Sequence, residues 1–450
     1  MKSILAKWSL VYPVHFLRCE WILFYISEVE KVEQMNGSDL DDYQERKISY
    51  MLKNSYRKVP YYKNILTSMG APESLNRPFD IFHKLPFLDK ETINQESTKL
   101  SLLERVFLDQ RSTSGSTGVP LVFYKDRQAT GYMEAVQNQA YKWHGINVGA
   151  PQGRFWGMPT GSKRNVNRVK DFLKNRIRFS AFDLTDDAKE AYFKELCKFR
   201  PMYLYGYSSL MLEFARYFGQ RRLESACLPL QVVIGTGEFI TNAEKDELAY
   251  LFGVPFAGEY GCTEIGVIGL ECQYGKMHLI ASNVYLEVVD PAGRSLEIGE
   301  EGEIVVTELN AGYFPFIRYR LGDRGRLTGE ACLCGRSLPV FEIMAGRKDD
   351  YILTPEGRKI YDAILAYTLK KGVKQFQGVQ EKIDYLRILI CPDEYYTDDL
   401  EYNYICKLKE SLGPMMNIEI ELVKEIPREI SGKLRYFRSM LKKDKIEVIT

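Results

Sequence analysis

The chain has almost no net charge: 61 Lys and Arg stand against 60 Asp and Glu in 450 residues. That balance leaves no basic footprint for nucleic acid, and the two signs alternate along the chain instead of collecting in tails, which points to a small-molecule, metabolic partner. Long hydrophobic runs are also missing. Trp21-Ile22-Leu23-Phe24-Tyr25-Ile26 is very apolar, but Arg18 and Glu20 interrupt it, Pro13 precedes it, and it falls well short of the roughly 20 residues a spanning helix needs. It reads as a buried helix, with a peripheral membrane contact as the alternative. The nine cysteines are scattered and odd in number, and no secretory signal precedes them, so a reduced, cytoplasmic compartment is expected instead of a disulfide framework. There is no Walker spacing G-x-x-x-x-G-K-[ST], no internal repeat and no low-complexity segment.

What is present begins with Arg111-Ser112-Thr113-Ser114-Gly115-Ser116-Thr117-Gly118-Val119-Pro120, followed by the strand-like Leu121-Val122-Phe123-Tyr124. Glycines let backbone amides approach a phosphate closely and the hydroxyls add donors, so this turn suits a polyphosphate cradle; a flexible linker is the ordinary alternative. Residues 41–110 read as helical, broken by extended elements at Lys58–Tyr62 and Lys84–Phe87, where proline biases its predecessor away from helix. From 121 to 310 short apolar strands alternate with helical stretches, the pattern of α/β layers. The strand Gln231–Ile234 runs into Gly235-Thr236-Gly237-Glu238, which places that tetrapeptide at the carboxyl end of a sheet, where open α/β folds bind ligands. Residues 284–330 are β-rich. Beyond Gly346-Arg347-Lys348-Asp349-Asp350 the texture becomes one αββαβ unit of small-domain size. A length of 450 residues calls for roughly two or three domains, and the boundary is placed at Asp349, giving units 1–348 and 349–450.

Three further segments fit parts of one reaction with ATP. In Gly258-Glu259-Tyr260-Gly261-Cys262-Thr263-Glu264, an aromatic beside glycine can stack on adenine, Thr263 can hold the α-phosphate, and Glu264 is a hard oxygen ligand for Mg²⁺. Asp323, in Arg318-Tyr319-Arg320-Leu321-Gly322-Asp323, can accept from both ribose hydroxyls. Lys433, in Ser431-Gly432-Lys433, is a mobile cation for charge developing between a carboxylate and the α-phosphate. Each taken singly is equally a helix start, a turn or a surface charge. Cys272, His278, Cys332 and Cys334 form a separate set: three thiolates and an imidazole match a closed structural Zn²⁺ shell, although their spacing is irregular.

In this order, TSGSTGVP, GTGE, EYGCTE, RYRLGD, GRKDD and SGK resemble the adenylate-forming superfamily of acyl-CoA synthetases, nonribosomal adenylation domains and luciferases. VPYYKNIL, KLPFLDKETI, the continuation PLVFYKD and the CLCGR before the hinge motif narrow the resemblance to the phenylacetate–CoA ligase branch, including relatives found in capsular polysaccharide biosynthesis. The resemblance spans about residues 50 to 440. It implies a large multi-sheet α/β N-terminal domain, a small mobile α+β C-terminal domain, and two half-reactions: carboxylate and ATP give acyl-adenylate and pyrophosphate, then a nucleophile displaces AMP.

Carried onto this sequence, the resemblance makes Thr113, Ser114, Gly115, Ser116, Thr117 and Gly118 the pyrophosphate-side loop and Gly237, Glu238, Tyr260 and Gly261 the adenine wall. Thr263 becomes the phosphate contact, Glu264 the magnesium ligand, Asp323 the ribose ligand, Arg347 and Asp349 the hinge motif, and Lys433 the lysine of adenylation. Two departures stand out: Leu121 follows the loop's proline where many members carry lysine, and Cys262 fills the position before Thr263. The implied co-substrates are ATP with Mg²⁺, a carboxylic acid and an acceptor. The acceptor is coenzyme A or, alternatively, an amine such as an amino sugar in a surface polysaccharide; a catalytically degenerate nucleotide-binding protein is the third reading. The aromatic segments Trp143-His144-Gly145 and Tyr203–Ser209 are expected to contribute to the acyl pocket.

Overall fold

The computed structural model describes residues 12–17, 20–71, 78–100, 108–112, 121–156, 169–181, 185–225, 227–347, 351–369, 371–427 and 434–441. Two compact units emerge: Met1–Leu321 with Arg326–Glu342, and Gly322–Gly325 with Ile343–Thr450. The mixed α/β class with several sheets agrees with the sequence reading. Asp349 itself lies outside the described residues.

The first unit opens with helices α1 (Tyr12–Leu17), α2 (Ile22–Val32), α3 (Gly37–Lys58), α4 (Pro60–Ser68), α5 (Pro78–Phe82) and α6 (Lys90–Leu100). The extended element expected at Lys58–Tyr62 shrinks to Val59 alone (φ −111°, ψ 108°). Pro60 forbids helical backbone before it but fits the first turn of the next helix, where its missing N–H is not needed. The apolar run at Trp21 is only half buried. Ile22, Tyr25, Ile26, Val29 and Val32 face inward, whereas Trp21, Leu23 and Phe24 are 51%, 49% and 72% exposed.

After β1 (Asp109–Ser112) and β2 (Val122–Lys125), which pair antiparallel, comes α7 (Arg127–Tyr141). Asp126 fixes this corner. Its Oδ1 caps α7 by accepting from the Ala129 amide at 2.6 Å, and its Oδ2 accepts from the amides of Gly312 and Tyr313 at 2.9 and 3.1 Å. Beside it Lys125 forms a fully buried ion pair with Glu308, both side chains 1% exposed.

The main sheet comprises β3 (Gln152–Trp156), β4 (Arg176–Ser180), β5 (Tyr203–Gly206), β6 (Val232–Thr236), β7 (Phe256–Cys262), β8 (Gly266–Glu271) and β9 (Met277–Leu279), in the order β4-β3-β5-β6-β7-β8-β9. It is parallel from β4 to β7 and antiparallel from there to β9. Strand alternation sorts the faces. Phe155, Phe179, Leu204 and Val233 point to the core they share with α8 (Asp186–Phe199), α9 (Ser208–Ser225) and α10 (Asn242–Phe252). The opposite face carries Arg154 paired with Tyr205 and, two residues further along the strands, Thr236 paired with Glu259, and α7 reaches it with Gln137 and Tyr141.

Strands β10 (Val284–Val289), β11 (Gly302–Glu308), β12 (Tyr319–Leu327) and β13 (Phe341–Arg347) follow as a second sheet in that order. The second unit has a hairpin, β14 (Tyr351–Leu353) with β15 (Lys359–Tyr361), then α11 (Ala363–Thr368), β16 (Val373–Lys382), β17 (Tyr385–Pro392), α12 (Asp398–Leu412), β18 (Asn417–Leu422) and β19 (Phe437–Ser439). Its sheet runs β18-β17-β16-β19. Buried Gln380 ties the hairpin to this sheet as a strand would, donating to the Leu353 carbonyl at 2.7 Å and accepting its amide at 3.0 Å. The αββαβ expectation lacked this hairpin and β19.

Replacing Lys125 with methionine leaves the Glu308 carboxylate buried without its partner. A loss of about 3–5 kcal/mol in urea-denaturation stability is expected, much of it recovered when Glu308 is made leucine as well. A single variant as stable as the parent would show that the pair contributes nothing.

Candidate active site

The carboxyl ends of β6 and β7 lie side by side, with Thr236 opposite Glu259. Gly237, in a left-handed turn (φ 78°), ends β6, and Glu238 accepts the Ser209 amide at 3.1 Å in the first turn of α9. On the neighbouring strand Tyr260 is half-buried, its ring 6.0 Å from that of Phe341. A register shift follows it, and a Cβ on Gly261 would lie 2.3 Å from the Gly266 carbonyl oxygen, so only glycine allows β8 to turn back this tightly. Beyond the bend Thr263 is exposed and Glu264 is buried.

Glu264 meets the RYRLGD segment. Its Oε1 accepts from the Tyr319 hydroxyl at 2.8 Å. Burial, and then the Glu264 charge, push the Tyr319 phenol well above its ordinary range, so it remains a proton donor. The residue before it, Arg318, has a left-handed backbone (φ 49°), rare for a side chain of this size. Its guanidinium holds Glu287 through two bonds of 3.1 and 3.0 Å and donates to the carbonyls of His83 and Leu85, both at 2.7 Å. Phe87 lies between Arg318 and Arg320, at 4.2 and 4.3 Å from its ring centre. The KLPFLDK and RYRLGD segments are thus packed together.

In the second unit, Asp323 follows Gly322 (φ 79°) within β12. Arg347 closes β13, but its side chain is outside the described set, as are the loop Thr113–Gly118, Asp349 and Lys433. The site residues brought together are therefore Gly237, Glu238, Tyr260, Gly261, Thr263 and Glu264, with Tyr319 as a partner that the sequence reading had not assigned.

The ligating atoms of Cys272, His278, Cys332 and Cys334 all lie within 4.8 Å of one another. The cysteines lie on two turns, closed by Gly275 N–H to Cys272 O at 2.9 Å and Gly335 N–H to Cys332 O at 3.1 Å, and His278 lies on β9. The Cys272 and Cys332 sulfurs are 3.6 Å apart, and Cys334 Sγ is 3.2 Å from His278 Nε2. With Nδ1 protonated to donate to the Leu338 carbonyl at 3.1 Å, His278 keeps Nε2 as its ligating nitrogen. Trp143, expected near the acyl pocket, packs against His278 instead, 5.9 Å between ring centres, and carries Arg336 over its face at 4.5 Å.

One residue inside the EYGCTE motif escaped the sequence reading. Glu259 is buried and accepts from the hydroxyls of Tyr205 at 2.9 Å and Tyr141 at 2.6 Å, and from Gln137 Nε2 at 3.5 Å. Among the described residues no cation pairs with it. Burial raises its pKa above the ordinary carboxylate value, with the hydrogen bonds opposing. Because the folded-state pKa lies above the unfolded one, the stability tied to this group is complete at acid pH and is lost as pH rises through the folded pKa. Glu259→Gln, neutral throughout, should therefore gain stability relative to the parent between about pH 4 and 8, measured by denaturant unfolding. A difference independent of pH would show an unshifted carboxyl.

The CapK C-terminal domain family matches residues 352–439. Over 439 residues the chain is 23% identical to protein CapK of Staphylococcus aureus, covering 94% of this chain and 93% of that one. It is 24% identical over 445 residues to a phenylacetate-coenzyme A ligase of Thermus thermophilus, covering 90% and 97%. Among solved structures, 2-hydroxyisobutyryl-CoA ligase in the postadenylation state, in complex with an acyl-AMP, superposes with a TM-score of 0.74 over 93% of each chain at 19% identity, a likeness of fold. The chain is thus phenylacetate–coenzyme A ligase-like, with CapK among its relatives, and has the fold of the adenylate-forming acid ligases.

Proposed function

We propose that the protein is an ATP-dependent, AMP-forming ligase that converts a carboxylic acid to an acyl-adenylate and transfers the acyl group to coenzyme A. The observation that carries this reading is the Glu264–Tyr319 bond, which joins the motif at the carboxyl end of the parallel strand β7 to the second separately recognisable nucleotide motif at the start of β12. Tyr319 engages one oxygen of Glu264, and an ionised carboxylate has a second to offer Mg²⁺. Tyr260 is assigned to adenine, Thr263 to the α-phosphate, Asp323 to the ribose and Thr113–Gly118 to the pyrophosphate. Lys433 is assigned to the charge that grows as the carboxylate attacks phosphorus. Coenzyme A is the acceptor named for the phenylacetate ligase relatives.

The protein should catalyse pyrophosphate–ATP exchange only in the presence of a suitable acid, tested with a panel of aryl, aliphatic and amino acids. Lys433→Ala should slow that exchange by about 10²–10³-fold with little change in ATP affinity, as for loss of one preorganised group acting mainly in the transition state. Exchange without any acid, or ADP as product, would overturn the assignment.

The Cys272, His278, Cys332 and Cys334 cluster is assigned a structural zinc ion. Tetrahedral Zn–S bonds of about 2.3 Å place two sulfurs about 3.8 Å apart, close to the 3.6 Å between Cys272 and Cys332. Protein purified without chelator should carry about one equivalent of zinc, absent from Cys334→Ser, which should also melt at a lower temperature. Metal-free parent protein with an unchanged melting temperature would dispose of the ion.

A further inference from the structure

The start of the chain leaves large hydrophobic side chains facing solvent in a tight group. Phe16 and Leu17, at the end of α1, are 63% and 81% exposed and join the exposed Trp21, Leu23 and Phe24, with the Phe16 and Trp21 rings edge to face at 5.5 Å. Single exposed hydrophobic residues are ordinary, whereas a contiguous group of them marks a contact surface. These side chains cannot turn inward, because the other side of the two helices is already seated. The Glu20 amide donates to the His15 carbonyl at 2.9 Å, and the two side chains meet at 2.6 Å. Glu20 lies so close to α7 that a Cβ on Gly131 would fall 2.4 Å from its carbonyl oxygen.

The surroundings of the patch are basic. Phe24 heads a stripe of α2 that continues through Ser27 to Lys31, both exposed. The acids flanking that stripe, Glu28 and Glu30, are engaged with Lys47 and Lys142. In the sequence Lys2, Lys7 and Arg18 precede Glu20, and no acid does. A second segment repeats the combination. Residues 169–173 are helical and expose Val169 and Phe172, 59% and 69%, beside the exposed Lys170 and Lys174, while the nearby Asp171 is held by Arg176 and Arg178. Lys174 pairs with Glu134 on α7. Burial raises the Glu134 carboxyl, but Lys174 and then His15 outweigh it and bring the pKa down to about 2, so the basic segment and α1 both lie near this one carboxylate. The neutrality of the whole chain thus hides a local excess of positive charge beside an apolar patch.

We propose that this surface seats on an anionic lipid membrane, with Phe16, Trp21 and Phe24 entering the headgroup region and Lys31, Lys170 and Lys174 facing the lipid phosphates. Trp, Phe and Leu are the side chains that settle at that depth, and an apolar signal joined to a cationic one is what reversible attachment requires. No described helix is long and apolar enough to cross a membrane, so the contact is with one surface. A second copy of the chain would set the same positive excess against itself, which favours lipid over self-association.

The test mixes the full chain with vesicles of phosphatidylcholine, or of equal parts phosphatidylcholine and phosphatidylglycerol, and measures the bound fraction by sedimentation. Binding to the anionic vesicles should exceed binding to the neutral ones by about tenfold or more, and should weaken as salt rises from about 50 to about 500 mM. The double variant Phe16→Ser, Phe24→Ser should lower the partition coefficient by about tenfold or more. Lys170→Ala with Lys174→Ala should lower it by about fivefold per charge removed, on the anionic vesicles only. All four positions are exposed, so both variants should melt as the parent does. No turnover is involved, which keeps the outcome independent of the ligase function. A parent protein that ignores both vesicles, or binds the neutral ones equally well, would refute the proposal, and so would anionic binding that survives the Phe16 and Phe24 substitutions. Sedimentation equilibrium without lipid decides the other occupant: a dimer lost in Phe16→Ser, Phe24→Ser would assign the surface to a second copy and refute the membrane contact.

Discussion

Arg318 is the residue on which the arrangement of the site depends. A buried guanidinium has five donors to place, and this one makes four hydrogen bonds, two to Glu287 on β10 and one each to the carbonyls of His83 and Leu85 just after α5. Holding all three requires backbone in the left-handed region, a strain of order 1–3 kcal/mol that persists only where the surroundings over-determine it. They do: Leu88 donates its amide to the Arg318 carbonyl at 3.0 Å and accepts from the Arg320 amide at 2.9 Å, holding the strand on either side of the bend. The consequence appears one residue on, where Tyr319 is turned inward to meet Glu264. A lysine at 318 could hold Glu287 but not fork to two carbonyls at once, so the geometry belongs to arginine.

Much of this was legible in sequence because glycine and proline leave few choices. Gly261 had to be glycine for β7 to bend against β8, and the strand ending at Thr236 announced its ligand-side terminus by the glycines around it. Four dispersed Cys and His residues converged because two short turns, each closed by a glycine amide, present the cysteines beside His278 on β9. The zinc assignment needs only ligand chemistry and proximity, and sequence supplied the first.

Other features depend on which face a residue takes, which local pattern does not fix. Trp143 looked like a pocket aromatic, but the turn after α7 directs it to His278 and Arg336. The apolar run at Trp21 forms a helix as expected, yet only one side of it meets α7 through Tyr25 and Tyr132, 5.2 Å apart. Lys58–Tyr62 misled in another way. Proline's restriction on its predecessor was read correctly but spread over five residues, although a single residue out of helix suffices between α3 and α4. Lys125 could not be read at all. Its value depends on Glu308, 183 positions away, and no periodicity links them.

The two carboxylates of the EYGCTE motif show why neighbours in sequence can serve different ends. Glu259 and Glu264 are five residues apart and both buried, but the bulge after Tyr260 puts them in different surroundings. Glu264 lies past the bend and is met by a single phenol, an arrangement compatible with a further ligand on its other oxygen. Glu259 lies before it, enclosed by α7 and β5, among groups that can hydrogen-bond it but cannot neutralise it. Tyr260 stands between them in sequence, so the register shift that follows it is what separates the two carboxylates into an enclosed position before the bend and one past it.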